Sequence, residues 1–364
     1  MCIRDRLWTG NEMVVWGGRG TQTSPEAPEI FADGAAYDPA TDSWRTIATA
    51  PLSPRSDHYA VWTGTEMLVF GGMSGVSPNV EFANDGAVYD PASDSWRLIA
   101  SPPTPIGSDA AIAWTGSELF VYGGRQMRSY DEPGEYFNAG ALYNPMSDTW
   151  RVAASWDGRP RSGAAAVWTG TEVIVYGGGV RVGEAPPEGD LTETYSDAAA
   201  YDPQTNSWRS LASGPEAANS CCTAAIAMWR GDSMFVWYAD PFGGPYFAIY
   251  DPGADRWVEY TDKPDLGHYS GRAATASTGS RFIFWGGAQG EGANSAWLDG
   301  AIFDSASGTW QRLAPSGLDA RSAVTGVWTG SQFIVWGGSS QRDGEEGREY
   351  YAAADGAIYT PPNG

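Results

Sequence analysis

Three arginines occupy equivalent places in widely separated parts of the chain. Each stands seven residues before a repeated tryptophan or its counterpart and is followed directly by a serine: Arg55–Ser56, Arg161–Ser162 and Arg321–Ser322. A fourth arginine, Arg272, lies two residues further along in its own segment. A guanidinium group presents its donors as a planar fork that matches the two oxygens of a carboxylate. The recurring arginines therefore predict a site for a ligand that carries carboxylates.

The same arginines allow a second interpretation, in which they bind the protein itself. The chain contains 44 Asp and Glu residues against 22 Lys and Arg residues. Each guanidinium could therefore pair with a neighbouring carboxylate and hold adjacent structural units together. The sequence leaves the ligand site and the internal pairing open as alternatives.

Other side chains that could perform chemistry are few. His58 and His268 could bind a metal ion together with carboxylates. Two histidines so far apart in the chain are, however, more typical of structural positions. Cys221 and Cys222 are adjacent, and we interpret them as free, small side chains. We therefore expect neither a metal nor a cofactor.

The segments that position these residues repeat along the chain. A Trp-Thr-Gly signal occurs at Trp8, Trp62, Trp114, Trp168 and Trp328, with degenerate copies at Trp229 and Ser277. Nine residues after six of these seven positions stands a Gly-Gly pair, as at Gly71–Gly72 and Gly177–Gly178. An aromatic residue follows, and a Trp stands seven residues after it, as at Tyr89–Trp96 and Tyr201–Trp208. Seven repeats of this kind indicate a repeat architecture.

Each repeat predicts four short antiparallel strands, a to d. In the second repeat these are residues 57–62 (DHYAVW), 67–70 (MLVF), 86–89 (GAVY) and 96–99 (WRLI). Strand b is apolar on both faces, as expected of a strand that is packed between two other sheets. Since a small sheet with two apolar faces is unstable alone, we expect the sheets to stack around an axis and close into a ring.

The Gly-Gly pair, the aromatic residue and the Trp resemble the kelch repeat, here as Gly71–Gly72, Tyr89 and Trp96. The resemblance covers almost the whole chain and implies an all-β, seven-bladed kelch-type β-propeller with four antiparallel strands per blade. Seven b strands and seven c strands are visible, but only six d strands, so one blade is expected to be incomplete.

The beginning of the chain bears on that incomplete blade. In kelch-like propellers, a strand from one end of the chain often completes the blade made by the other end. We interpret residues 1–6 (MCIRDR) as a non-native leader and the native N-terminus as truncated. Residues 7–364 are then expected to form a single domain, and the missing signal region carries no information on secretion.

The resemblance also places the candidate site. In kelch folds the start of strand a lines the central channel, on the face that carries the long b–c and d–a connections. It implies a ligand site at the channel mouth formed by Arg55, Ser56, His58, Arg161, Ser162, Arg272, Arg321 and Ser322.

The b–c connections add many carboxylates and aromatic rings, which could form a recognition rim or be an ordinary solvated loop surface. The carboxylates include Glu26, Glu29, Asp131, Glu132, Glu135, Glu184, Glu188, Asp190, Glu345 and Glu346. The aromatic residues are Tyr130, Tyr136, Phe137, Phe242, Tyr246, Trp297 and Tyr350.

Charge and composition limit the classes of partner that we expect. The net charge of −22 would repel a polyanion, so no nucleic acid is expected. No apolar run approaches the ~18 residues of a membrane helix, so no membrane insertion is expected. We expect an extracytoplasmic or secreted protein, and the sequence leaves open that other domains of a longer native chain are among its partners.

Three functions remain open from the sequence. The first is a binding or scaffolding domain for a protein or glycan ligand. The second is a sugar-acting, epimerase- or lyase-like enzyme with an Arg/carboxylate pocket. The third is a structural part of a larger chain. The propeller domain of galactose oxidase resembles this fold, but its Tyr–Cys cross-link and copper ligands have no matching pattern here.

Overall fold

The structure is a computed structural model. It describes residues 3–20, 29–75, 80–126, 134–156, 159–182, 191–215, 226–240, 244–260, 273–287, 300–344 and 347–361. Within these ranges every regular element is a β-strand. The expected all-β class is therefore confirmed.

Seven antiparallel sheets follow one another along the chain, and we number them as blades 1 to 7. Blade 1 contains β1 (Ile3–Trp8), β2 (Met13–Arg19), β3 (Gly34–Asp38) and β4 (Ser43–Thr46). Blade 2 contains β5 (Tyr59–Trp62), β6 (Met67–Phe70), β9 (Gly86–Asp90) and β10 (Ser95–Leu98). Blade 3 contains β11 (Ala111–Trp114), β12 (Leu119–Tyr122), β15 (Gly140–Asn144) and β16 (Thr149–Ala153). Blade 4 contains β17 (Ala165–Trp168), β18 (Val173–Tyr176), β21 (Ala198–Asp202) and β22 (Ser207–Leu211).

The remaining blades follow the same order. Blade 5 contains β23 (Ile226–Trp229), β24 (Met234–Asp240), β25 (Gly244–Asp251) and β26 (Arg256–Tyr260). Blade 6 contains β27 (Ala274–Ser277), β28 (Arg281–Trp285), β29 (Gly300–Asp304) and β30 (Thr309–Arg312). Blade 7 has three strands among the described residues, β31 (Thr325–Trp328), β32 (Phe333–Trp336) and β35 (Gly356–Tyr359). The seven-bladed propeller is thus confirmed, and the blade expected to be incomplete is the one with three strands among the described residues.

Four b–c connections contain a small hairpin that the sequence did not predict. These hairpins pair β7 (Met73–Ser74) with β8 (Glu81–Phe82), β13 (Arg125–Gln126) with β14 (Glu135–Tyr136), β19 (Gly179–Val182) with β20 (Leu191–Thr194), and β33 (Ser339–Gly344) with β34 (Gly347–Ala352). The hairpins differ in length and share no alternating apolar pattern, so the sequence gives no signal for them.

The core lies between the blades. All four residues of β6, β12 and β18 are buried, which confirms that strand b is packed on both faces. One cluster joins Trp16 and Leu52 of blade 1 and its following connection to Met67, Val69 and Tyr89 of blade 2. The repeated tyrosines lie in these interfaces, and burial there supplies the main favourable term of folding.

The Gly-Gly pairs end strand b where the chain makes a close backbone approach. Gly71 and Gly72 have φ angles of 69° and 96°, in the region that favours glycine. A Cβ atom on Gly72 would lie 2.8 Å from the carbonyl oxygen of Ser56. In blade 5, where Tyr238 and Ala239 replace the pair, β24 instead continues to Asp240 and pairs with β25 as far as Gly244.

At four junctions the outer strand of one blade is held by the next blade. In blade 2, Trp96 Nε1 donates to the carbonyl oxygen of Ala48 in blade 1 at 2.8 Å. The Ala48 N–H donates to Asp94 Oδ1 at 2.9 Å, and the Tyr89 hydroxyl donates to the same oxygen at 2.7 Å. One blade thus binds both main-chain groups of a residue in its neighbour. We call this contact the interblade clamp.

The interblade clamp recurs in the following blades. Blade 3 uses Trp150, Asp148 and Tyr143 on Ala100; blade 4 uses Trp208, Asn206 and Tyr201 on Ala154; blade 5 uses Trp257, Asp255 and Tyr250 on Ala212. Burial and then the hydrogen bond to Asp148 raise the pKa of Tyr143 to about 12. The tyrosine hydroxyl is therefore a permanent donor at ordinary pH.

The first and last blades lie side by side. Strand β1 contacts both β5 and β31. Arg6 Nε donates to the carbonyl oxygen of Gly326 at 3.1 Å, and the rings of Trp44 and Trp336 lie 4.7 Å apart. The predicted closed ring is formed in this way. Residues from Ile3 onward belong to β1, while the non-native origin of residues 1–6 stays a prediction.

The role of the aspartate in the interblade clamp can be tested by substituting the residues that occupy its position in other blades. Asp148 adopts φ of 51°. Asn206 makes the same contacts in blade 4, and Gly308 takes the equivalent place in blade 6. We expect Asp148→Asn to leave stability nearly unchanged and Asp148→Gly to cost about 1–2 kcal/mol, because only the glycine removes both acceptor contacts. Urea unfolding monitored by tryptophan fluorescence measures both; equal losses would contradict the clamp.

Candidate functional site

The d–a connections and the b–c hairpins share one face of the ring, which we call the hairpin face. The serine that starts each strand a pairs in an isolated bridge with the residue that follows the Gly-Gly pair of its blade. These bridges are Ser56 with Met73, Ser108 with Arg125, Ser162 with Gly179, and Ser322 with Ser339. The predicted site residues therefore stand at the base of the hairpins.

Arg161 is completely buried, and both of its terminal nitrogens bind its own blade. Its Nη1 donates to the carbonyl oxygen of Gly177 at 2.9 Å and to Asp197 Oδ1 at 3.0 Å. Its Nη2 donates to Asp197 Oδ2 at 2.9 Å, which completes a bidentate pair. The guanidinium carbon also lies 4.0 Å from the ring centroid of Trp156. This side chain joins the starts of strands a and c to the end of strand b.

Arg55 and Arg321 repeat this arrangement in blades 2 and 7. Arg55 Nη1 donates to Asp85 Oδ1 at 2.7 Å and to the Gly71 carbonyl oxygen at 3.1 Å. Arg321 Nη1 donates to Asp355 Oδ1 at 2.7 Å and to the Gly337 carbonyl oxygen at 3.3 Å. The two side chains are 0% and 1% exposed, whereas Asp85 and Asp355 are 53% and 62% exposed.

The main chain of these arginines forms hydrogen bonds with the preceding blade. The Gly124 N–H of blade 3 donates to the Arg161 carbonyl oxygen at 2.8 Å, and the Arg161 N–H donates to Phe137 O at 3.0 Å. Gly18 of blade 1 donates in the same way to the Arg55 carbonyl oxygen at 2.7 Å. Each arginine therefore links two blades, one through its main chain and the other through its guanidinium.

Each of these arginines therefore pairs with a carboxylate of the protein itself, which agrees with the second interpretation of the sequence. The three guanidinium groups lie in three different blades, and each is bound within its own blade. Sequence reasoning did not single out the partners Asp85, Asp197 and Asp355, although each stands four residues before the repeat tyrosine. The arginine and the aspartate occur together in blades 2, 4 and 7, whereas blade 3 has Gly107 and Ala139 at these positions and lacks both. This joint presence could have revealed the pair from the sequence.

His58 is buried beneath the Gly-Gly pairs of blades 1 and 2. Its ring packs edge-on against Trp16 with centroids 5.0 Å apart, and a Cβ atom on Gly17 would lie 2.9 Å from His58 Cε1. Burial, and then the positive charge of Arg55, lower the pKa of His58 to about 3. The imidazole is therefore neutral at physiological pH, in a place where blades 3 and 4 carry Ala110 and Ala164.

Part of the predicted site and rim lies outside the described residues. This part comprises Arg272, His268, Cys221, Cys222, Glu26, Asp131, Glu132, Glu184, Glu188, Asp190, Glu345, Glu346, Tyr130, Phe242 and Trp297. Glu29 and Glu135 are exposed, as a recognition rim requires. Tyr136 joins neighbouring hairpins, since its hydroxyl accepts a hydrogen bond from the Arg181 N–H at 3.1 Å.

The described part of the chain contains no group of three or more His, Cys, Asp or Glu side chains arranged to hold a metal ion. None of its elements is a helix with the length and hydrophobicity needed to span a bilayer.

Comparison with known proteins agrees with the repeat and the fold. A family model described as the KLHDC2/KLHL20/DRC7 Kelch-repeats domain matches residues 6–178. Kelch-like protein 25 of Xenopus tropicalis is 25% identical over 70% of this chain and 40% of its own length. Kelch-like protein terF of Aspergillus terreus is 24% identical over 82% of this chain and 65% of its own length. The chain thus spans less than two thirds of these relatives.

Seven sequence repeats, seven blades and these matches define the chain as a β-propeller of the kelch class. It is a kelch-repeat protein.

The buried pair in blade 4 predicts a specific pattern of destabilisation. Asp197→Ala leaves the Arg161 charge buried without its carboxylate, so we expect a loss of about 3 kcal/mol in the free energy of unfolding. Adding Arg161→Met should restore part of that loss, because the double variant buries no charge. Chemical denaturation of Asp197→Ala, Arg161→Met and the double variant measures this. A double variant whose loss of stability equals the sum of the losses of the two single variants would contradict the pairing.

His58 predicts a pH dependence with a defined sign. A histidine in the unfolded chain binds a proton near pH 6.5, whereas buried His58 does not do so until about pH 3. Stability should therefore fall as pH drops below 6.5, by up to about 1.4 kcal/mol per pH unit. We expect His58→Ala to reduce this slope between pH 6 and 5. Unfolding curves measured between pH 6 and 5 test this prediction, and an unchanged pH dependence of the free energy of unfolding would contradict it.

Proposed function

We propose that this propeller is a binding or scaffolding domain whose hairpin face recognises a basic segment of a protein partner. One observation carries the proposal: the exposed carboxylates of the hairpin face stand on long connections that differ from blade to blade, whereas the opposite face is made of short turns that repeat from blade to blade. Kelch-repeat propellers typically bind proteins or act as scaffolds, which favours a protein over a glycan as the ligand.

The exposed acids belong to several blades. Glu29, Glu81 and Glu135 are exposed in the b–c connections of blades 1, 2 and 3. Asp85 and Asp355 each hold a buried arginine with one side of the carboxylate while the side chain remains more than half exposed. With a net charge of −22 on the chain, such a surface attracts cationic partners over distances of about a Debye length.

The opposite face is built from short turns that satisfy themselves. In the a–b turn of blade 2, Thr63 Oγ1 accepts a hydrogen bond from the Glu66 N–H at 3.0 Å. In the c–d turn, Asp90 accepts hydrogen bonds from the Ala92 N–H at 2.9 Å and the Ser93 hydroxyl at 2.7 Å. Turns of this kind fix the scaffold and vary little from blade to blade, so they offer little basis for recognising one partner.

The buried arginines support binding through the rim in preference to a catalytic pocket. A sugar-acting site at the channel mouth would need guanidinium groups that a substrate could reach. Arg55, Arg161 and Arg321 are at most 1% exposed, and each already holds a carboxylate of its own blade.

Charge reversal on the hairpin face and on an outer strand tests the proposal. Peptides selected from a random library on the immobilised protein supply the probe, and their affinities are measured by fluorescence anisotropy. We expect Glu81→Lys and Glu135→Lys each to weaken the selected basic peptides several-fold, with the loss shrinking at high salt. Glu259→Lys, which makes the same charge change on an exposed outer strand, is the matched control. Equal losses in all three variants would contradict binding at the hairpin face.

A further inference from the structure

An exposed arginine lies on the hairpin face where the connection from blade 3 enters blade 4. Arg159 stands two residues before the buried Arg161, and its own side chain is 54% exposed. Its guanidinium carbon lies 3.9 Å from the ring centroid of Tyr195, which is buried. Arg159 therefore covers an aromatic ring of its own blade and remains accessible to a partner.

Two carboxylates hold the edge of this guanidinium. Arg159 Nη1 donates to Glu193 Oε1 at 2.9 Å, and its Nη2 lies 3.9 Å from Asp197 Oδ2. Because the N–H groups of a guanidinium lie in its plane, these carboxylates occupy its edge while Tyr195 covers one face. Among the described residues Tyr195 is the one ring that Arg159 covers. The face turned away from Tyr195 is thus open.

The main chain restrains Arg159 as well. Pro160 follows it, and a residue before proline is confined to extended conformations. The next residues, Arg161 and Ser162, are hydrogen-bonded to Phe137 and Gly179. Arg159 is therefore held at its backbone, its edge and one face before any partner arrives, so it loses little conformational freedom on binding.

This arrangement, which we call the Arg159 platform, is specific to blade 4. Blades 2 and 7 contain the same buried pair of arginine and aspartate. The places of Arg159 and Tyr195 are taken by Ser53 and Ala83 in blade 2 and by Asp319 and Ala353 in blade 7. The buried pair therefore forms without the platform, and the common scaffold does not require it.

Blade 4 also lacks a hydrogen bond that its two counterparts make. Arg55 Nε donates to the Ser53 carbonyl oxygen at 3.1 Å, and Arg321 Nε donates to the Asp319 carbonyl oxygen at 3.1 Å. Arg161 Nε is buried and has no hydrogen-bond partner among the described residues. A local departure that costs a buried hydrogen bond and does not serve the common scaffold is typical of a functional position.

The open face of the guanidinium defines the chemistry of its ligand. A guanidinium is planar, is weakly hydrated and stacks on aromatic rings, whereas aliphatic side chains lack the quadrupole that attracts a cation. A carboxylate ligand would have to compete with Glu193 and Asp197 for the N–H groups, on a chain with a net charge of −22. An aromatic ring fits the open face and leaves both ion pairs in place.

We infer that the open face of Arg159 binds an aromatic side chain of the protein partner, a tryptophan, tyrosine or phenylalanine that stands among its basic residues. The inference rests on the proposed function and names a second feature of the segment that the hairpin face recognises. Arginine and aromatic residues are the types enriched at the energetic centres of interfaces. Glu193 is exposed beside the platform and attracts the basic residues that flank the ring.

The peptides selected on the immobilised protein supply the probe. We expect an aromatic residue among their basic residues, and we expect its replacement by leucine to weaken binding to the unaltered protein about fivefold. Arg159→Lys keeps the charge but removes the planar face, so the ring and leucine peptides should bind this variant equally. Arg209→Lys is the matched control, since Arg209 is 49% exposed and is also held by a glutamate, but lies on the outer strand of blade 4. It should retain the fivefold difference.

NMR with isotope-labelled arginine locates the contact. The ring peptide should shift the Arg159 Nε–H resonance upfield, and the leucine peptide should not. Selected basic peptides without an aromatic residue, or the same loss on ring replacement in the unaltered protein and in Arg159→Lys, would overturn the inference and leave the proposed function standing. Selected peptides without basic residues would instead contradict the proposed function, and the comparison of ring and leucine peptides would still decide the ring site.

Discussion

The grip of blades 2 to 5 on the main chain of the preceding blade is the interaction on which the rest of the structure depends. Apolar faces press the sheets together, but burial is non-directional and tolerates sliding of one sheet over another. The tryptophan Nε1 and the clamp carboxylate hold one alanine of the preceding blade by its C=O and its N–H. Each such bond contributes only about 1 kcal/mol, yet together they fix the position at which the apolar faces meet.

The hairpin face has a second linkage between blades. The arginine at the start of strand a bonds to the previous blade with its main chain and to its own Gly-Gly pair and strand c with its guanidinium. With outer strands and strand starts both held, the b–c connections can vary in length without loosening the ring. This division explains why a chain with such regular spacings carries such different loops, and why we place recognition on them.

Residues with short, fixed spacings made most of the fold predictable. The aromatic residue and the Trp seven residues later face each other across one turn, as Tyr89 and Trp96 do, and the glycines at 71 and 72 have the positive φ that their type suggests. The clamp acceptors were not predictable because Ala48 and Trp96 are separated by 48 residues and belong to different sheets. Asp85 was overlooked for a similar reason: its contact with Arg55 spans 30 residues, and a carboxylate on a loop is also what a solvated surface contains.

Native-state hydrogen exchange at the clamped alanines tests this account most directly. Ala48, Ala100, Ala154 and Ala212 all stand at the ends of outer strands, where amides ordinarily exchange by local fraying. If the clamp sets the packing of the blades, their amides exchange as slowly as those of the buried b strands, while in the Asp148→Gly variant the amide of Ala100 exchanges much faster. Fast exchange at all four alanines of the unaltered protein would show that the clamp does not hold the blades together.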